Sequence, residues 1–267
     1  MVSPIFFFAR RPDRGGLAIN ESMTSHTFPT PFAESYAQTM GNGANQDIAI
    51  LISGGLDSAI LLGEALKVHP CVHPITLRCG LYWEAIEQDH LARFLRAVAS
   101  PKLAPLVTLT QPVDDLYGLH WSTTGEDIPD AHSPDDAVFL PGRNVFLLAK
   151  PMVYCHMKNI PTLAMAPLQS NPFSDATPEF FQRMVGVLNQ ALKGNVALRL
   201  PYLGLRKRQV MRRGRDLPLE LTFSCIHPQK NIHCGACNKC AERRHAFADA
   251  DLLDPTPYAN EVNQCTA

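Results

Sequence analysis

At 267 residues the chain can hold one large domain with an appendage and can bury a sizeable core. Its 46% apolar and 18% charged composition is that of a folded globular protein, and a net charge of -1 gives no sign of a general nucleic-acid or membrane surface, although a local basic patch remains compatible with it. No apolar run reaches the ~18 residues of a membrane span, and the apolar residues Ile5 to Phe8 precede Arg10 and Arg11, the reverse of a secretory signal; a cytoplasmic protein is expected.

Residues 1–46 mix Pro, Ser, Thr, Gly and Asn without an apolar period and read as a poorly ordered extension, with Met23 and Met40 available as later starts. From Asp47 strand and helix patterns alternate, which predicts an α/β fold with a mostly parallel sheet. The Ile-rich run Ile48 to Ile52 is a buried strand that stops at Ser53-Gly54-Gly55-Leu56-Asp57-Ser58, and helix-forming residues follow to Leu66. Val72 to Arg78, Leu106 to Thr110, Thr162 to Ala166 and Val196 to Leu200 are the further strands, about five in all. Helices are expected over Glu84 to Ala99, after an Asn144 N-cap, over Phe180 to Leu192 and over Arg206 to Arg213; Pro151 predicts a kink or a later start in the second of these. The acidic, proline-containing stretch Gln111 to Pro141 has no period, and a loop of that length is usually functional or mobile.

The glycine turn between strand and helix brings backbone N–H groups and a helix dipole to one small space, the usual means of holding phosphate. It is not a Walker loop, since the lysine and spacing are absent. Ser53-Gly54-Gly55-Leu56-Asp57-Ser58 matches S-G-G-x-D-S, the PP-loop of enzymes that cleave ATP between the α and β phosphates. Gly54 and Gly55 let the backbone approach pyrophosphate, and Ser53 and Ser58 offer hydroxyl donors. Asp57 would repel phosphate, so it either helps hold Mg²⁺ or orders the loop. The plain alternative is a structural turn with no ligand.

Cys225-x8-Cys234-x2-Cys237-x2-Cys240 can close a tetrahedral Zn²⁺ site with no open position, hence a structural one. An iron–sulfur cluster and reduced bystander cysteines are the competing readings. His227 and His233 lie close in sequence and are taken as neighbours rather than ligands. The default for Cys71, Cys79, Cys155 and Cys265 is a small core or surface residue.

With these two motifs the chain resembles the 7-cyano-7-deazaguanine synthase family of PP-loop ligases. Leu140-Pro141-Gly142-Arg143-Asn144 is similar to the family's P-G-R-N loop, Pro201 to Lys207 to its P-L-x-x-x-x-K segment, and Thr222-Phe223-Ser224-Cys225 to its T-x-S-C; the likeness runs from Ile48 to Arg243. It implies a Rossmann-like PP-loop ATP pyrophosphatase domain over 47–221, a four-cysteine zinc-binding lobe and tail over 222–267, and ATP bound by Ser53 to Ser58. Arg143 and Lys207, with Asp57, are the implied catalytic residues, the two cations being suited to the charge that grows on leaving pyrophosphate.

The implied reaction adenylates 7-carboxy-7-deazaguanine and amidates it with ammonia, ending at 7-cyano-7-deazaguanine. A homodimer is implied, and neither a membrane nor a nucleic-acid partner. Where the family has Q-R-H this chain has Leu81-Tyr82-Trp83, its E-x-D-F-S-G-Y-P-D stretch is Gln169-Ser170-Asn171-Pro172-Phe173-Ser174-Asp175, and Gln209 replaces a Glu. Tyr82, Trp83, Gln169, Asn171 and Asp175 are therefore the residues expected to bind substrate, with amides in place of carboxylates changing which purine edge they read. One alternative transfers the adenylated acid to a different amine. Others are a tRNA sulfur-transfer enzyme of the same superfamily, which would need a reactive thiol outside the metal site, and a non-catalytic zinc nucleic-acid-binding module, whose support is the basic run Arg206 to Arg215.

Overall fold

Five parallel strands in the order β3-β2-β1-β4-β5 form the centre of the computed structural model, which describes residues 45–260; the expected N-terminal extension lies outside the described residues up to 44. The strands are β1 (Ile48–Leu51), β2 (Val72–Arg78), β3 (Val107–Thr110), β4 (Thr162–Ala164) and β5 (Ala197–Arg199). The helices, in chain order, are α1 (Leu56–Val68), α2 (Glu84–Ala97), α3 (Asp114–Tyr117), α4 (Trp121–Thr124), α5 (Arg143–Met157), α6 (Pro178–Leu192), α7 (Lys207–Arg213) and α8 (Asn238–Asp249). The expected α/β architecture with a parallel sheet is the observed one. No helix among the described residues is long and apolar enough to cross a membrane.

Alternation along β1 divides the core. Ile48 and Ile50 face α1, α2, α7 and α8 through Ile60, Phe94, Met211 and Phe247, while Ala49 and Leu51 face α5 and α6 through Leu148, Met152 and Phe181. A third cluster lies beyond the C-terminal edge of the sheet. There Trp83, Val138, Leu140 and Phe223 pack with the four clustered cysteines.

Proline is unusual inside a sheet, yet Pro74 sits in β2 between β1 and β3. Val72 bonds Lys102 and Ala104 on the β3 side, whereas the carbonyls of Cys71 and Ile75 accept from β1. Pro74 shares the parity of Val72, so its missing N–H points toward residues 105–106, just before β3 begins pairing at Val107.

Two local expectations fail. Asn144 is not an N-cap: α5 begins two residues earlier than such a cap implies, at Arg143, capped by Gly142 at φ +73°, a left-handed conformation that glycine adopts without a Cβ clash. Pro151 does not delay the start of the helix; it lies buried within α5. The stretch from 111 to 141 is not structureless either, since it contains α3, α4 and a 3₁₀ turn over Asp135–Val138. Its segment 129–133 is bonded to the cysteine region: the Ala131 N–H donates to the Ala236 carbonyl at 2.9 Å and the Asn238 N–H to the Pro129 carbonyl at 3.0 Å. The Asn238 amide also donates to the Ser133 carbonyl at 2.9 Å.

Candidate active site and metal centre

Residues 53–58 leave the C-terminal end of β1 and enter α1, where a parallel α/β sheet normally places its ligand. Gly54 has φ +104°, and a Cβ there would come within 3.3 Å of the Glu87 carbonyl and 3.4 Å of Leu91 Cβ. The turn therefore needs glycine both for its backbone angle and for its packing against α2. Its carbonyl accepts the Phe223 N–H at 2.8 Å, so the C-terminal third of the chain braces it. Within the loop, Ser53 N–H donates to Ser58 Oγ at 3.3 Å, Gly55 N–H to Ser53 Oγ at 3.2 Å, and Ser58 Oγ–H to the Gly55 carbonyl at 3.2 Å. No side chain caps α1 behind Gly55, which leaves its first-turn N–H groups available to an anion.

The loop forms one wall of a cavity of about 400 Å³. Lys207, at the start of α7, reaches across to place Nζ 2.7 Å from Asp57 Oδ2 and 3.8 Å from Glu242 Oε1. Burial alone would lower the Lys207 ammonium; Asp57 and Glu242 outweigh it and hold its pKa above the usual lysine value. Burial would likewise raise Glu242, but Lys207 and Lys239 overcome it, and Lys239 Nζ lies 2.6 Å from its Oε2. Two lysines and two carboxylates thus line the cavity beside the loop.

Arg143, the first residue of α5, also lines this space. Asp175 anchors that turn: its Oδ2 accepts the Asn144 N–H at 2.9 Å, and its carbonyl accepts the Asn144 amide at 3.0 Å.

A second part of the lining, away from the charged side chains, is aromatic and apolar. Trp83 and Trp121 stack with centroids 5.8 Å apart and planes at 15°, beside Leu81, Val138, Leu140 and Phe173. Glu87 lines the cavity next to Gly54, and burial pushes its carboxyl up to about 8; Arg143 opposes the shift and Glu84 adds to it. At neutral pH Glu87 is mostly protonated and can donate a hydrogen bond. Buried Glu84 has a different task, with its carboxylate accepting from the Gly80 N–H at 2.9 Å and from Arg78 Nε at 3.0 Å to close the turn before α2.

Of the residues singled out in the sequence, Ser53, Gly55, Leu56, Asp57, Ser58, Trp83, Arg143, Asn171 and Lys207 line the cavity, and Gly54 braces the loop from behind. Tyr82, Gln169 and Asp175 do not line it. Tyr82 turns outward to pack on Gly125, Gln169 is exposed, and Asp175 acts through Asn144. Glu84, Glu87, Trp121, Lys239, Glu242 and Arg243 line the cavity without any motif to mark them. For the last three the only hint in the sequence is their place just inside and after the cysteine spacing; Trp121 has none.

Cys225, Cys234, Cys237 and Cys240 converge, with all four sulfurs within 4.8 Å of one another and all four residues buried. Sγ to Sγ is 3.9 Å for Cys225–Cys237 and for Cys234–Cys240. Backbone N–H groups of His227 and Cys234 point at Cys225 Sγ, those of Ala236 and Cys237 at Cys234 Sγ, and that of Gly235 at Cys240 Sγ, at 3.3–3.4 Å. Such donors favour thiolate over thiol, as a metal ion requires. The cluster could hold a metal ion. His233 is not part of it: Nε2 accepts the Ser224 N–H at 3.1 Å, and burial holds its pKa down to about 2. Arg243, completely buried behind the cluster, donates to Thr222, Ser224, Thr256 and the Leu219 carbonyl, tying the segment before the first cysteine to the one after the last.

A parallel α/β sheet with S-G-G-x-D-S at the end of its central strand defines a PP-loop protein. The model of Queuosine biosynthesis protein QueC matches residues 47–251, and the chain belongs to that family. A 7-cyano-7-deazaguanine synthase of Ruegeria pomeroyi is 31% identical over 79% of this chain and 94% of its own length. Another, from Methanosphaerula palustris, is 28% identical over 78% of this chain and 97% of its own. Among solved structures, a tRNA thiolase from Methanococcus maripaludis aligns with a TM-score of 0.45 at 14% identity, over 88% of this chain and 82% of that one, a likeness too distant to inform the site.

Proposed function

We propose that this chain is an ATP-dependent carbon–nitrogen ligase that converts 7-carboxy-7-deazaguanine and ammonia to 7-cyano-7-deazaguanine. The observation that carries the proposal is one cavity whose two walls suit the two reactants: the Ser53–Ser58 loop with Lys207 and Lys239 on one side, and the Trp83–Trp121 stack on the other. Relatives that match nearly end to end are named for this product.

ATP would lie with its phosphates on the loop. Attack of the substrate carboxylate on the α-phosphorus breaks the bond to the β-phosphate bridging oxygen and releases pyrophosphate. Lys207 and Arg143 stabilise the charge that develops there, and the loop N–H groups hold the phosphates in line. Mg²⁺ fits at Asp57, whose Oδ1 is buried without a hydrogen-bond partner; when bound it would neutralise phosphate charge. Ammonia then attacks the acyl carbon, AMP leaves, and the extra proton passes to solvent. A second round of ATP activation at the amide oxygen, with loss of two amide protons, gives the nitrile.

The deazapurine would stack against the tryptophan wall, where protonated Glu87 can donate to an acceptor on its edge. We keep the sequence-based division at residue 221 as a proposal, with Zn²⁺ in the four-cysteine centre. In favour of zinc, a tetrahedral site with Zn–S of ~2.3 Å has S···S edges of roughly 3.8 Å, close to the 3.9 Å seen here. A cytoplasmic location and a homodimer complete the proposal.

Incubation with ATP, ammonium and 7-carboxy-7-deazaguanine, read by mass spectrometry, tests it. The nitrile with AMP and pyrophosphate is expected; ATP cleaved to AMP with another acid, and no nitrile, would overturn it. A second reading, transfer of the adenylated acid to a different amine, is favoured by one observation. Asn171 spends its Oδ1 on the Phe173 N–H at 3.1 Å, leaving its NH₂ as the group that can face the cavity where the family pattern has a carboxylate.

A further inference from the structure

The N-terminal edge of the sheet, at the far end of β1 from the cavity, carries a second group of metal-ligating side chains. Asp47 immediately precedes β1, Cys71 immediately precedes β2, and His73 is the second residue of β2. The register pairs Ala49 with His73, which sets Asp47 beside Cys71. Alternation then puts Asp47, Cys71 and His73 on one face of the sheet. One ligand atom from each lies within 4.8 Å of the other two, and all three residues are half-buried. His73 Nε2 is 3.4 Å from Asp47 Oδ2.

Backbone contacts hold this corner in place before any ion arrives. The Ile48 N–H donates to the Cys71 carbonyl at 3.1 Å, locking the two strand starts together. His69, almost fully buried, donates from Nδ1 to the Gln46 carbonyl at 2.9 Å, which fixes the residue before Asp47. Pro74 restricts His73 to an extended backbone. An Asp–His contact by itself is ordinary surface chemistry; a thiol converging on the same point is not accounted for by it. Sulfur, imidazole nitrogen and carboxylate oxygen together form the mixed donor set that suits Zn²⁺ and similar borderline ions and is poor for Mg²⁺ or Ca²⁺.

We propose that Asp47, Cys71 and His73 form a second divalent-metal site, with three protein ligands and one open position, that takes a zinc-class ion independently of the four-cysteine centre. The closed set of four thiolates has no place for an exogenous ligand, whereas this one leaves a coordination position for water or a small anion. Being half-buried at a sheet edge, it should exchange its ion more readily than the enclosed centre.

The test uses the full-length protein as purified, dialysed against buffered low-micromolar free zinc and analysed for metal. About two zinc ions per chain are expected in the wild type and about one in Cys71→Ser and in His73→Ala. Cobalt added to protein carrying a single zinc per chain, before the dialysis against zinc, should give thiolate-to-cobalt absorption of about one quarter that of a four-thiolate site, since a single thiolate is involved, and Cys71→Ser should abolish it. A wild type that takes no more metal than the two variants overturns the proposal. So does a second ion that persists in both variants, since its ligands then lie elsewhere. The difference between wild type and variant decides the matter whatever the four-cysteine centre holds, so a failure there stays distinguishable. Asp47→Asn serves as a third variant, and matched melting curves show that each one is folded.

Discussion

The two walls of the cavity are built in opposite ways. The loop wall is mostly local: six consecutive residues, hydrogen-bonded among themselves, turn from β1 into α1 and are met by the Lys207 ammonium, the Phe223 N–H and the packing of α2 on Gly54. The aromatic wall is assembled from Leu81 and Trp83, Trp121, Val138 and Leu140, and Phe173, which span nearly a hundred residues of chain. Chemistry common to a whole superfamily can sit in a short motif. Selection of a particular partner depends on long-range packing, as in the wall built by Leu81, Trp83, Trp121 and Phe173.

The largest effect should come from what braces both walls at once. Structural zinc contributes an apparent ~10–16 kcal/mol in small zinc peptides, comparable to or larger than the ~5–15 kcal/mol that holds a domain folded. Metal stripping with a strong chelator, or Cys237→Ser, is therefore expected to lower the melting temperature sharply and abolish activity, with at least one zinc per chain, held by the four cysteines, before treatment; finding iron in that centre instead would refute the zinc assignment. On the loop wall alone, Lys207→Ala should slow pyrophosphate release by about 10²–10³-fold at saturating ATP, the usual cost of losing one transition-state electrostatic contact. A rate within threefold of wild type would remove Lys207 from the chemistry.

Gly54→Ala sharpens the comparison by strain. A non-glycine residue at φ +104° costs about 1–3 kcal/mol, here with Cβ tight against the Glu87 carbonyl, so denaturant midpoint and ATP turnover should fall together. On the other wall, Trp121→Ala removes a stacked pair worth about 0.5–1.5 kcal/mol beyond area. It should raise KM for the acid substrate while leaving KM for ATP nearly unchanged; equal shifts in both would erase the distinction between the walls.

A separate effect is read in pH dependence. Glu87 moves from an ordinary 4.5 when unfolded to about 8 in the folded protein. The folded state therefore binds more protons between these values, and its contribution to stability is present below about pH 4.5 and lost as pH rises through 8. Glu87→Gln should flatten that part of the stability profile, which chemical denaturation at a series of pH values would read directly.

The strands are legible in the sequence because each is a short β-branched run bounded by Gly, Pro or polar residues; the expected bounds of β2 match the observed Val72–Arg78. The sheet order follows from none of this, since register depends on which faces meet. The start of α5 differs from expectation because a glycine in the left-handed region replaces the side-chain cap that Asn144 promises. Helix α8 is illegible because its polar sequence lacks an apolar stripe; it is buried through Arg243, whose guanidinium is fully hydrogen-bonded, as well as through Phe247. The site divides the same way. Ser53 to Ser58 and the cysteines announce themselves by spacing, but Glu87 reads in sequence as one more charge on a solvated helix, and only the tertiary fold desolvates it.

The pairing of residues 129–131 with 236–238 has a consequence for how the molecule comes into being. The segment leading from α4 to the cavity residues Val138 and Leu140 is splinted by a segment synthesised more than a hundred residues later. On the ribosome the parallel sheet can be completed once β5 has emerged, yet residues 129–131 find their hydrogen-bond partners only when residues 236–238 have followed. A nascent chain stalled before Phe223 would carry the Ser53–Ser58 loop without its brace, and one stalled before residue 236 would leave residues 129–131 without their partners.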